Sequence, residues 1–124
     1  MKTSSAKAKG RRFQQYIRDL VRTSFNLEED DVRSTSMGCG GEDVQLSPRA
    51  RKFFPYSVEC KNVEKLNVWK AYEQSCENCK DYEPILFMKK NHSIALAVVS
   101  AEHYFELLRR LNERSTEETT SSND

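Results

Sequence analysis

The chain has 124 residues, of which 31% are charged and 37% apolar, and its formal net charge is +1. That length supports a single domain of the usual size, roughly 100–150 residues, the apolar share excludes wholesale disorder, and no apolar run approaches the roughly 18 residues a bilayer span requires. The opening MKTSSAKAKG is polar, so an intracellular, cytoplasmic setting is expected, in which Cys39, Cys60, Cys76 and Cys79 stay reduced.

The near-zero total conceals an asymmetry. Residues 1–25 hold Lys2, Lys7, Lys9, Arg11, Arg12, Arg18 and Arg22 against Asp19 alone, a net +6, whereas residues 111–124 hold Arg114 against Glu113, Glu117, Glu118 and Asp124, a net −3. A basic front suits an anionic partner. Residues 1–9 read as a flexible basic lead, residues 10–113 as the domain, and residues 114–124, rich in Ser, Thr and Glu, as a disordered acidic tail.

Within residues 10–25, Phe13, Ile17, Leu20 and Val21 recur at helical spacing, which predicts a helix with one apolar face and with Arg11, Arg18 and Arg22 on another. After an acidic turn, residues 32–37 read as a short strand running into Gly38, Gly40 and Gly41, which permit a tight turn. Residues 43–47 alternate, with Val44 and Leu46 toward a core and Asp43 and Gln45 away from it. Residues 48–55 form a basic connection containing Arg49, Arg51 and Lys52 beside Phe53 and Phe54. Residues 56–61 alternate again, with Ser57, Glu59 and Lys61 on one face and Tyr56, Val58 and Cys60 on the other. Leu66, Val68, Trp69, Tyr72 and Cys76 predict a helix over residues 64–80, with Trp69 as a packing anchor. Pro84 opens two mostly buried strands, at 85–88 and 93–99. Ser100 then caps a last helix whose apolar face is Tyr104, Leu107, Leu108 and Leu111. The expected fold class is therefore α/β: one domain with a central mixed sheet of about five strands flanked by helices, in the order helix, three strands, helix, two strands, helix.

The chemistry concentrates on two of those strands. If they are neighbours, Asp43 of one meets Glu59 and Lys61 of the other, and Glu and Lys must stand two apart to leave a strand on the same side. Two carboxylates suit a hard divalent cation such as Mg²⁺, which takes few protein oxygens and keeps several waters, and the backbone carbonyl of Cys60 is a further ligand. Mn²⁺ is the expected substitute. A lysine beside them can orient an attacking water or stabilise charge developing on phosphorus. The same spacing also fits an ordinary ion pair on an exposed strand.

Taken together, Gly-Gly-Glu-Asp43-Val, the basic connection ending in Pro55, and Tyr-Ser-Val-Glu59-Cys-Lys61-Asn resemble the PD-(D/E)XK nuclease superfamily over roughly residues 9–108. Lys9-Gly10-Arg11-Arg12-Phe13 ahead of the first helix resembles the Holliday-junction resolvase group and related small phage endonucleases. The resemblance implies a restriction-endonuclease-like domain, a prokaryotic or phage-infected host, Asp43 and Glu59 as metal ligands and Lys61 as catalytic lysine. Such resolvases usually carry a glutamate in the first helix, where Gln14 and Gln15 stand here; an amide can hold a water but brings no charge. Ser34 and Ser36 fall where related enzymes have a serine-bearing loop, Gln74 resembles a glutamine on the helix after the lysine, and Gln45 shares the polar face of Asp43.

DNA is thus the expected partner, with Lys9, Arg11, Arg12, Arg49, Arg51 and Lys52 as its phosphate contacts. A four-way junction needs two symmetric cuts, so a homodimer is expected. A nicking or degradative phage-type nuclease and a non-catalytic DNA-binding module on the same scaffold are the alternatives. Cys76 and Cys79 form half of a zinc motif, which leaves a small zinc-stabilised interaction protein as a third class.

Overall fold

A computed structural model describes residues 3–35 and 41–122; Ser36 and Cys39 lie outside the described residues. The chain forms one α/β domain around a five-stranded mixed sheet: β1 (Val32–Ser34), β2 (Val44–Leu46), β3 (Tyr56–Asn62), β4 (Glu83–Lys89) and β5 (Leu96–Val98) lie side by side in chain order. Only β3 and β4 run parallel, joined by helix α3 (Val68–Asn78); the other neighbours are antiparallel. A parallel pair cannot be closed by a tight turn, so the crossover helix is a geometric necessity.

Helix α1 (Thr3–Ser24) buries Phe13, Ile17 and Val21 against Val32, Val44 and Val58, the core of the molecule. It begins seven residues ahead of the Gly10 start suggested by periodicity, because an apolar stripe marks only the part of a helix that packs; residues 3–9 of the basic lead continue the same helix. The last helix, α4 (Ala101–Ser122), likewise runs through the residues expected to be a disordered tail. Residues 48–55, read as a basic connection, hold a short helix, α2 (Pro48–Phe53). Its cause is local: Ser47 is the N-cap, its Oγ accepting from the Ala50 N–H at 3.1 Å, and Pro48 occupies the first turn, where it lacks nothing a helix needs.

Two apolar faces depart from the pattern reading. In α3 the residues turned to the sheet are Ala71 and Ser75, and Trp69, expected to be a packing anchor, is 81% exposed. The helix sits close enough for Ser57 Oγ to reach the Asn78 carbonyl at 3.5 Å, which leaves no room for large side chains on that face. In β5 Leu96 and Ala97 are exposed, so this strand is an uncovered edge and not a mostly buried strand.

Ser47 joins two segments, since its hydroxyl also donates to Asp31 Oδ1 at 2.6 Å. This bond and the Glu28 backbone N–H hold the Asp31 carboxyl below its usual range, so Asp31 supports the fold at neutral pH and that support is lost as pH falls through its lowered pKa. Ser47→Ala should cost about 1–2 kcal/mol of unfolding free energy, the usual loss for an N-cap, read as a lower urea midpoint at constant m-value. An unchanged midpoint would mean that neither bond supports the fold.

Candidate metal centre

The pairing of β2 with β3 sets Val44 opposite Val58. Asp43 therefore stands at the mouth of the sheet beside Glu59. Gly41, at φ 93°, supplies the left-handed turn that leads into it. The Asp43 N–H donates to the Val58 carbonyl at 2.9 Å, and Asp43 Oδ2 accepts from the Cys60 N–H at 2.7 Å. In an extended strand the N–H and C=O of one residue leave on the same side, so the Cys60 carbonyl opens toward the Asp43 edge as well. Lys61 Nζ lies 3.7 Å from Glu59 Oε1. Asp43, Glu59, Lys61 and the Cys60 backbone are thus brought together, while the Cys60 side chain turns into the core.

The electrostatics of the cluster are those of carboxylates held out of water. Glu59 is only 6% exposed; burial pushes its pKa up, and repulsion from Asp43 adds to this, opposed by Lys61 and by a hydrogen bond to the Asn78 side chain. Burial also raises Asp43, opposed by the Cys60 N–H and by Lys61. Two like charges in a shared, partly desolvated site with one lysine between them are under-neutralised. A divalent cation would supply the missing charge. No cluster of three or more His, Cys, Asp or Glu ligands occurs among the described residues, so the donor set is two carboxylates and a carbonyl. That set fits Mg²⁺ and Mn²⁺, which retain waters, and not a closed zinc site.

The supporting residues divide. Gln74 lines a recess of about 590 Å³ with Lys61, Asn67 and Lys70, whereas Gln45 is exposed opposite Arg33. Gln14 is buried, and its Oε1 accepts from Ser34 Oγ at 3.4 Å, which ties α1 to β1; Gln15 is half-buried. Asn78, one helical turn beyond Gln74, was not marked by any motif. It contacts Glu59 only because α3 packs over β3.

Among the expected phosphate contacts, Arg51 is engaged internally. It donates to both carboxylate oxygens of Glu42 (2.9 and 2.8 Å) and to the Tyr56 carbonyl (2.7 Å), and lies 3.8 Å over the Tyr82 ring. Nη2 makes both bonds to Glu42 and Nη1 the bond to β3, so this half-buried arginine fastens α2 to the sheet. Arg11, Arg12, Arg49 and Lys52 are exposed, and Lys9 sits 3.5 Å from Glu64. Cys76 is exposed and Cys79 half-buried at the end of α3.

No family model, curated protein or solved structure matches this chain. No helix among the described residues is long and apolar enough to cross a membrane.

Both carboxyls keep their protons to higher pH in the folded chain than in the unfolded one, so the stability they contribute is full below the ordinary carboxylate range and declines as pH rises through the raised values. Asp43→Asn and Glu59→Gln should therefore each melt above the wild type at about pH 7 and lose that advantage toward about pH 4. Mg²⁺ should raise the melting temperature of the wild type but of neither variant. Scanning calorimetry decides it; a wild type that outmelts both variants at neutral pH would mean that the two carboxylates are not a strained pair.

Proposed function

We propose that this protein is a metal-dependent endonuclease that hydrolyses phosphodiester bonds in DNA, with a restriction-endonuclease-like domain as its scaffold. The reading is carried by one observation: Asp43, Glu59 and Lys61 come from two neighbouring strands to one desolvated site with an excess of negative charge. An ordinary surface ion pair would leave Glu59 in water, and it is buried.

In this reading Asp43, Glu59 and the Cys60 carbonyl hold Mg²⁺, or Mn²⁺ in its place. When bound, the cation supplies Lewis-acid polarisation of a phosphoryl oxygen. The remaining work belongs to the chain. Lys61, placed by Glu59, orients the attacking water and stabilises the charge that builds on phosphorus. The Cys60 N–H fixes the Asp43 carboxylate, and Asn78 fixes that of Glu59. Arg11, Arg12, Arg49 and Lys52 contact the phosphate backbone, a sequence-independent contribution that weakens steeply with salt. The likeness of Lys9-Gly10-Arg11-Arg12-Phe13 to Holliday-junction resolvases favours a structure-selective enzyme acting on branched DNA; a general nicking nuclease is the second reading.

The test is cleavage of a labelled four-way junction beside its matching duplex with Mg²⁺ or EDTA. Trp69 is the only tryptophan, is exposed, and adjoins Lys70 on the recess that Lys61 lines, so its fluorescence reports binding separately from cutting. Cleavage should vanish in EDTA and fall by about 10²-fold or more in Asp43→Asn, Glu59→Gln and Lys61→Ala, on the scale of losing one preorganised transition-state contact, while Trp69 quenching by DNA persists. Paired cuts in the junction alone identify a resolvase, and cutting of both substrates a general endonuclease. Quenching without any cutting would leave a DNA-binding module.

A further inference from the structure

A second cleft lies on the sheet face away from the proposed metal centre. Lys61 and Asn62 are consecutive in β3 and leave the strand on opposite faces: Lys61 lines the recess beside α3, and Asn62 lines a cleft of about 730 Å³ beside α1. Helix α1 packs over β1, β2 and β3, and the cleft is the trough between that helix and the β4–β5 pair. Its volume falls within the roughly 300–1,000 Å³ of small-molecule sites. The rim is built in advance. The Lys90–Ser93 turn is closed by the Ser93 N–H donating to the Lys90 carbonyl at 3.2 Å and the Lys90 N–H donating to Ser93 Oγ at 3.0 Å. Glu64 Oε1 accepts from the Asn91 N–H at 3.0 Å and lies 3.5 Å from Lys9 Nζ, so it bridges the turn to α1.

Three features of the wall define what fits. The charged side chains that line it are Lys9, Arg12 and Lys89, with His92 on the rim, and no carboxylate is among the described lining residues. Glu64 offsets Lys9, but the side chains of Arg12 and Lys89 have no hydrogen-bond or ion-pair partner among the described residues, which calls for an anion. The floor is aromatic and apolar, from Phe13 and Ile17 of α1 and Phe87 of β4. The Phe13 and Tyr16 rings stack with centroids 6.4 Å apart, and Tyr16 is still 51% exposed at the cleft, so a planar ring can extend the stack. Lastly, Asn62 Oδ1 is buried with no donor among the described residues, and an unpaired buried acceptor costs free energy until a donor reaches it. Inorganic phosphate would meet only the first requirement, and an aliphatic acid would leave Asn62 unpaired. An anionic group, a flat ring and an N–H donor together are the phosphate, base and exocyclic amine of a nucleotide.

We infer that this cleft binds a nucleotide with an amine-bearing base: its phosphate meets Arg12 and Lys89, its base lies on the aromatic floor against Tyr16, and its amine donates to Asn62 Oδ1. A free nucleotide and an unpaired nucleotide within a DNA strand present this same chemistry. The site shares Arg12 with the phosphate contacts of the endonuclease reading and otherwise stands apart from Asp43, Glu59 and Lys61, across the sheet from them.

Isothermal titration calorimetry on the full chain in EDTA, which keeps the metal centre out of the measurement, tests it. Deoxyadenosine monophosphate should bind with a dissociation constant on the order of 10⁻⁴ M or below, and deoxyadenosine and inorganic phosphate about tenfold or more weaker. The 5′-phosphate of deoxynebularine, which lacks only the amine, should bind about tenfold weaker, the scale of leaving a buried acceptor unpaired. That difference should vanish in Asn62→Leu. Arg12→Gln and Lys89→Gln should each weaken the monophosphate about tenfold, the scale of one hydrogen bond to a charged group, and leave deoxyadenosine unchanged; both substitutions are at the rim and keep the test valid where Asn62→Leu alters the circular dichroism spectrum. A single-stranded deoxyadenosine hexanucleotide separates the two sources. Binding about tenfold tighter than the monophosphate, and weakened by Lys89→Gln, assigns the cleft to an unpaired nucleotide of a strand; equal affinity assigns it to a free nucleotide. Absence of binding by both, phosphate binding as tightly as the monophosphate, or affinities indifferent to Arg12→Gln and Lys89→Gln would each overturn the proposal.

Discussion

The arrangement turns on one buried carboxylate. Glu59 lies in the middle of β3, the strand with a neighbour on each side and a helix over each face, where an apolar residue would be the stable choice. Two contacts from different elements offset its burial, Lys61 on its own strand and Asn78 on α3, while the Asp43 carboxylate, held beside it by the Cys60 N–H, opposes its charge. Removing water from charged groups costs several kcal/mol each unless they are paired. Here the pairing is incomplete, with two acids and one lysine. That imbalance is what supports the proposed cation site, and the local electrostatics therefore say more about function than the fold does.

The elements around β3 follow from that placement. Helix α1 covers the face carrying Val44 and Val58 and seals it with Phe13, Ile17 and Val21. Helix α3 covers the other face with small residues, close enough to bring Asn78 onto Glu59, and as a consequence turns Trp69 outward. Arg51, Glu42, Tyr56 and Tyr82 lock α2 against the same strand. An arginine that seemed available for phosphate thus serves rigidity, and the segment leading to Asp43 is held through its neighbour Glu42.

Helix α4 obeys a different logic. It meets the domain through a single buried histidine at the ends of β3 and β4, and its apolar residues leave the core they would be expected to join. It stands far along the chain from Asp43 and Glu59.

Local chemistry was legible without any tertiary information wherever neighbours in sequence are neighbours in space. The alternation at Val44–Leu46 and Tyr56–Asn62 determined that both segments are strands and that Glu59 and Lys61 share a face; the Ser100 cap and the apolar period of Phe13, Ile17 and Val21 determined the helices. What required the folded chain was every question of which face meets what. Periodicity identifies an apolar stripe but not its partner, so Tyr104 to Leu111 read as core and are exposed, and Trp69 read as an anchor and is in solvent. Ser47 and Pro48 carried a helix-start signal that the basic, aromatic composition of residues 48–55 concealed. The contacts of Asn78 with Glu59, and of Arg51 with Glu42 and Tyr82, join residues whose relation is set only by strand order and helix packing. The sequence by itself determined the acid, the lysine and their common strand; only the tertiary structure decided how deeply they are buried, because burial belongs to the surroundings of a residue and not to the residue.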